Sequence, residues 1–141
     1  MDLSVKYSLI AMVCAGFTSA TAKFGMSHIS GEAGAVVRTF VVAIVVSLFT
    51  IVATTKSDFA GLNIKSFTWL AISGVATAAS WIFYYKAIKI GDVSTVALID
   101  KGSILISLSL AWLFLKEEFT VYTILGAAMI IGGLLLVSSS K

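Results

Sequence analysis

The chain has 141 residues, of which 59% are Ala, Val, Ile, Leu, Met, Phe, Trp, Tyr or Cys and only 12% are charged, and its mean hydropathy is +1.04. A soluble domain keeps about a quarter of its residues charged to make a polar skin, so a soluble enzyme and a disordered tail are both excluded. The net charge of +3 is too small and too scattered for a nucleic-acid surface, which leaves the lipid bilayer as the solvent of this chain.

A hydrocarbon layer about 30 Å thick takes roughly 20 helical residues to cross. The first predicted span is Val5 to Met26. Its start, Met1 to Lys6 with an apolar run and Ala20-Thr21-Ala22, has the outline of a signal peptide. The lone lysine of that leader is offset by Asp2, so the segment is read as a retained span. Gly16, Ser19, Ala20 and Lys23 share one helical face. Cys14, the single cysteine, permits neither an internal disulfide nor a metal cluster and is read as packing. After the connection SHISGEA, whose His28 is read as solvated, the second span runs from Gly34 to Thr54, with Arg38 one turn inside. The longer connection KSDFAGLNIKS leads to a third span, Phe67 to Tyr85, with Ser73, Thr77, Ser80 and Tyr84 on one line and Trp81, Tyr84 and Tyr85 as candidate aromatic walls. KAIKIGDVST then precedes a fourth span, Val96 to Leu115, with Asp100 and Lys101 one turn inside and Ser103 and Ser107 on the face of Asp100. The connection KEEFT precedes the fifth span, Val121 to Val137, which carries Gly126, Ala127, Gly132 and Gly133.

Every backbone N–H and C=O in hydrocarbon must be paired within its own segment or around a closed barrel, and unbroken apolar runs exclude the alternating barrel pattern. The expected fold is all-α: an integral membrane five-helix bundle, one domain over residues 1–141 with about 100 residues in lipid. Proline is absent, so a kink has to come from glycine or from Ser and Thr bonding back to the helix.

An ionisable group at mid-bilayer costs about 2.5–3.5 kcal/mol on insertion scales, and Lys23, Arg38, Asp100 and Lys101 each call for a reason. Alternate spans run in opposite directions, so all four are expected at one membrane level, with Lys86 beside them. Lys86 and Lys89 are read as snorkelling bases whose stems reach the headgroups. Asp100 has a short stem and is expected to face protein or a watery cavity, paired with Arg38 or Lys23. Small and hydroxyl residues on the helical lines serve helix packing in lipid, or line that cavity at their wet ends. The candidate solute-binding set is Lys23, Arg38, Ser80, Trp81, Tyr84, Asp100, Lys101 and Ser103. No phosphate loop, HExxH, CxxC or GxSxG occurs, so no enzyme, metal or cofactor is expected.

Five spans put the termini on opposite sides, and the Lys and Arg bias of the loops sets orientation. Lys6, Lys56, Lys65 and Lys116 make four on the N-terminal side, against Lys86, Lys89 and Lys141, three on the other. Adding Lys23, Arg38 and Lys101 to the second side gives four against six. So weak a bias permits dual insertion, and two opposed copies make ten spans about a two-fold axis in the membrane plane, the plan of many secondary transporters.

FYYKAIKIGDVSTVALIDKGS, WLFLKEEFT and LGAAMIIGGLLLV, together with AKFGMSHISGEAGAVVRT, resemble the EamA-type repeat of the drug/metabolite transporter superfamily, and within it the short five-span bacterial and archaeal group. The resemblance covers essentially the whole chain. It implies a single repeat of a ten-helix transporter with a central site and alternating access, working as a pair with itself or a similar chain in a bacterial or archaeal plasma membrane. Lys23, Arg38, Asp100, Lys101 and Glu117 occupy family-like places, Glu117 as a capping group of the turn before the last span. Departures are the missing proline of span four, Lys116 where the family's turn has glycine, and Phe17 where a Trp-Gly pair is frequent. Span one holds no buried acid, unlike the small multidrug exporters, and three bases with one acid favour an anionic or zwitterionic solute. The expected function is secondary transport of a small polar metabolite. A structural, regulatory or lipid-moving subunit packed against a larger partner through span five is the other reading.

Overall fold

The computed structural model describes residues 3–139, which are helical throughout apart from short connections and include no strand. Five helical stretches are long and apolar enough to cross a membrane. The chain divides into two compact units, one ending at Ile90 and the other beginning at Gly91.

The first unit holds α1 (Leu3–Gly25), α2 (Gly31–Ala53) and α3 (Ile64–Ile90), with a short 3-10 turn at Lys56–Phe59. Ser30 starts α2 by accepting a hydrogen bond from the Ala33 N–H at 3.2 Å, and Asn63 starts α3 by accepting from the Ser66 N–H at 2.9 Å. Both satisfy N–H groups that a helix end leaves without partners. Between α2 and α3 the Asp58 carboxylate accepts from the Thr55 N–H at 2.7 Å and from its hydroxyl at 2.9 Å. Those bonds, the backbone one foremost, hold its carboxyl below the ordinary value. Within the spans the hydroxyls of Thr18, Thr39, Thr50 and Thr77 donate to the carbonyl four residues back, which disposes of polar hydrogens that lipid cannot solvate.

Packing within this unit concentrates at one end, where α1 leaves, α2 begins and α3 leaves. The buried apolar side chains are Met26, Ala35, Tyr85 and Ile88. Gly31 permits a backbone approach: a Cβ there would lie 2.7 Å from the Tyr85 carbonyl oxygen and 2.9 Å from the Lys86 nitrogen. At Gly34 a Cβ would meet the Met26 side chain at 2.6 Å. Gly16 and Gly74, further along α1 and α3, have nothing within 4 Å.

The second unit holds α4 (Val93–Asp100), α5 (Ser103–Leu110), a π turn at Ala111–Leu115 and α6 (Val121–Ser139). The predicted fourth span is thus broken. Across Leu98 to Leu105 the backbone tightens to three-residue hydrogen bonds, Gly102 N–H to Ile99 O at 2.9 Å and Leu105 N–H to Gly102 O at 3.0 Å. A Cβ on Gly102 would press on the Ile99 oxygen at 3.0 Å and on Leu134 of α6 at 3.2 Å. With no proline, a glycine marks the discontinuity. The span ends at Lys116, whose φ of 54° and ψ of 35° are left-handed, the conformation glycine adopts without steric cost. Thr120, through its hydroxyl, accepts from the Thr123 N–H at 3.3 Å and so starts α6. The contact that Glu117 brings to the turn is made by its backbone N–H, which reaches the Ala111 carbonyl at 3.3 Å.

The helix that carries the third span is longer than the predicted apolar run: α3 continues five residues past Tyr85 to Ile90 and stops before the breaker Gly91. Cys14 is exposed in the single chain and does not pack within it.

Gly31→Ala is expected to lower the stability of the detergent-solubilised protein by about 2 kcal/mol, since backbone atoms of α3 must move. Gly34→Ala will cost less, because the Met26 side chain can turn aside. Gly16→Ala, at an open helical position, will be neutral or gain up to about 1 kcal/mol. Thermal unfolding followed by circular dichroism checks the order, and an equal loss at all three positions would contradict the close approach at Gly31.

Candidate functional site

Four bases gather at the packed end of the first unit, and they have three kinds of partner. Lys23, in the last turn of α1, donates to the carbonyls of Ile88 at 2.5 Å and Lys89 at 3.2 Å, at the end of α3. Lys89, in the last turn of α3, donates to the carbonyls of Met26 at 2.5 Å and Ser27 at 3.3 Å, just past the end of α1. Each helix thus lends a cation to the negative end of its neighbour, where terminal carbonyls lack intrahelical partners. Lys86 pairs with Glu32, in the first turn of α2, at 3.1 Å. Both partners are about half exposed, which keeps the energetic weight of that pair small.

Arg38 is different. Its guanidinium carbon lies 3.8 Å from the centre of the Trp81 ring and 5.8 Å from that of Tyr85. Among the described residues it faces rings, and no carboxylate is bonded to it. A planar, weakly hydrated guanidinium suits such a stack better than a strongly hydrated lysine ammonium does. Tyr84 turns its hydroxyl the other way, to Ser19 of α1 at 2.5 Å, and its ring lies 6.4 Å from that of Tyr85.

Of the sequence-derived set, Lys23, Arg38, Trp81 and Tyr84 therefore lie at one end of the first unit. Ser80, next to Trp81 on α3, is exposed. In the second unit Asp100 and Lys101 sit at the break between α4 and α5, their charged ends 3.8 Å apart and both partly exposed. Ser103, also exposed, opens α5. The partner of Asp100 in this arrangement is its chain neighbour. The face Ser19, Ala20, Lys23 on α1 meets α3 through Ser19 and Lys23, so that line packs helices.

Sequence reasoning assigned Lys89 to the headgroups and left Glu32, Gly31 and Gly102 without a role. A signal for Lys89 was present: a base in the last turn of a helix is placed to bind terminal carbonyls. That the carbonyls belong to the neighbouring helix is a tertiary fact, and spacing does not encode it.

Five apolar helices, bases held at their ends and polar groups bonded back to the backbone define a multi-pass membrane protein. The model of the EamA-like transporter family matches residues 3–139, and the chain belongs to that family. A protein of Sinorhizobium sp. named "Uncharacterized transporter in cobO 3'region" is 37% identical over 134 residues, 94% of each chain. No solved structure matches the chain. The chain is accordingly a membrane transporter in class.

The crossed lysines make a specific expectation. Lys23→Met and Lys89→Met should each lower stability by about 1 kcal/mol, from a charge-assisted bond partly exposed to solvent. Because both tie α1 to α3, the double variant should lose less than the sum. Full additivity in thermal unfolding would mean that the two clamps act separately.

Proposed function

We propose that this chain is a secondary transporter of a small polar metabolite bearing an anionic group, either a plain anion or a zwitterion, working by alternating access in a bacterial or archaeal plasma membrane. The observation that carries this reading is Arg38. Its charge sits at the edge of the hydrophobic region, fixed by Trp81 and Tyr85, while its N–H groups remain for an incoming carboxylate or phosphate. Lys23 adds positive charge and holds the end of α3, which carries the two rings. Ser80 supplies a hydroxyl on the same helix, and Tyr84 adds a third ring beside Tyr85. The Asp100–Lys101 pair lies where the helix is interrupted, a kind of place at which transporters bind ions and solutes. There Ser103 completes the polar set, and Asp100 is the group whose charge a proton would change.

The working form is a pair of oppositely inserted copies. Almost none of each candidate span is buried within the single chain, and Gly126, Gly132 and Gly133 of α6 have open space around them. Small residues of this kind let helices of two chains approach closely. The near-balance of loop bases supports insertion in both directions.

Counterflow into proteoliposomes of radiolabelled small carboxylates and amino acids tests the reading. At least one of these solutes should enter faster than into protein-free vesicles. Arg38→Gln should then lower that rate by about tenfold or more, a loss that corresponds to one charge-assisted interaction. Lys6→Gln, remote from the site, should leave it unchanged. Uptake that survives Arg38→Gln at full rate would sink the charged-site mechanism.

A further inference from the structure

Trp81 and Tyr85 are four residues apart on α3 and so stand on one face of the helix. Two rings converge on one point about 6 Å or less from each centre, and that point is filled by the guanidinium of Arg38, at 3.8 and 5.8 Å. Convergent aromatic rings at such distances are how proteins hold quaternary ammonium and guanidinium ligands. In this protein the ligand position is taken by a side chain of the protein itself.

We infer that Arg38 is the resident occupant of a half-formed organic-cation site, and that its presence sets the sign of charge the chain accepts. With Arg38 in place an incoming cation meets a like charge and finds the ring faces covered. With the guanidinium removed, Trp81 and Tyr85 offer their faces to an alkylammonium ion. The other charged groups of this end are already engaged: Lys86 with Glu32, Lys23 with the carbonyls ending α3, and Lys89 with those beyond α1. None of these contacts includes Arg38, so its loss leaves the frame of the site standing. Of the two rings, Tyr85 is held independently of it. Tyr85 is buried against the Gly31 and Gly34 face of α2, and its neighbour Tyr84 is tied to Ser19. Trp81 is thus a specificity-determining partner of Arg38: it fixes the guanidinium in one state and accepts a foreign cation in the other. The inference rests on the proposal that solute reaches the Arg38 end of the first unit, and it adds the ground on which cations are refused.

Equilibrium dialysis of the purified full chain in detergent with radiolabelled tetraethylammonium, at about 0.15 M salt to screen the distant lysines, provides the test. Wild type should bind no more than the Trp81→Leu variant does. Arg38→Gln should bind at least about tenfold more tightly than wild type, Arg38→Lys should stay at the wild-type level, and Arg38→Gln combined with Trp81→Leu should lose the gain. Circular dichroism confirms that each variant is folded, and Arg38→Met, which keeps an apolar stem, replaces Arg38→Gln if the latter is not. No gain in a folded Arg38→Gln or Arg38→Met protein overturns the inference, as does a gain that persists without Trp81. Loss of anion uptake in Arg38→Gln without cation binding defeats this inference alone and leaves the transport reading intact. Cation binding by Arg38→Gln in a chain that moves no anion supports the inference and defeats the transport reading.

Discussion

Helix ends are where a membrane protein exposes its backbone, and the first unit is organised around that constraint. Lipid gives apolar helices no reason to prefer one another, so association depends on close backbone approach and on polar groups that need partners. The last carbonyls of α3 and those just past the end of α1 are such groups. Lys23 and Lys89 meet them in a crossed arrangement, each cation serving the helix that is not its own. The same contacts answer two costs at once: an ammonium near hydrocarbon finds acceptors, and a helix end finds donors. Gly31 and Gly34 bring α2 into this assembly by removing the Cβ atoms that would hold it away from Tyr85 and Met26.

Arg38 cannot be accounted for in that way. It lies two turns into α2, too deep for terminal carbonyls, and it stacks on rings instead. Stacking stabilises the charge without consuming its hydrogen-bond donors, whereas the carbonyl contacts of Lys23 use the donors of that ammonium. A base held by its face and open at its edge is suited to recognition, and a base held by its donors is suited to structure. This difference in partner, more than any difference in depth, separates Arg38 from the lysines around it.

Much of this was legible in the sequence. The five spans follow from apolar runs of membrane length, and their ends differ from the helices by a few residues except at α3, where hydropathy stops at Tyr85 and the helix goes on to Ile90. The gathering of Lys23, Arg38 and Lys86 at one level follows from antiparallel spans. The partners did not follow. Snorkelling and carbonyl binding require the same residue at the same position, so Lys89 reads alike in both cases until α1 is placed beside it. The break at Gly102 was hidden for a related reason: hydropathy averages over a window, and Val93 to Leu115 stays apolar across a turn whose hydrogen bonds change from four residues to three.

That break also explains why a charged pair is tolerated inside the fourth span. A continuous α-helix offers Asp100 and Lys101 only a hydrocarbon-facing surface and a fully bonded backbone. At Lys101 and Gly102 the bonds tighten to three residues, and Gly102 lets this stretch lie against Leu134 of α6. The side chains of Asp100 and Lys101 then neutralise each other at 3.8 Å while remaining partly exposed. Exposed ion pairs of this kind contribute about 0–1 kcal/mol. The interruption, the glycine beside it and the weak pair thus fall at one place in the chain, between α4 and α5.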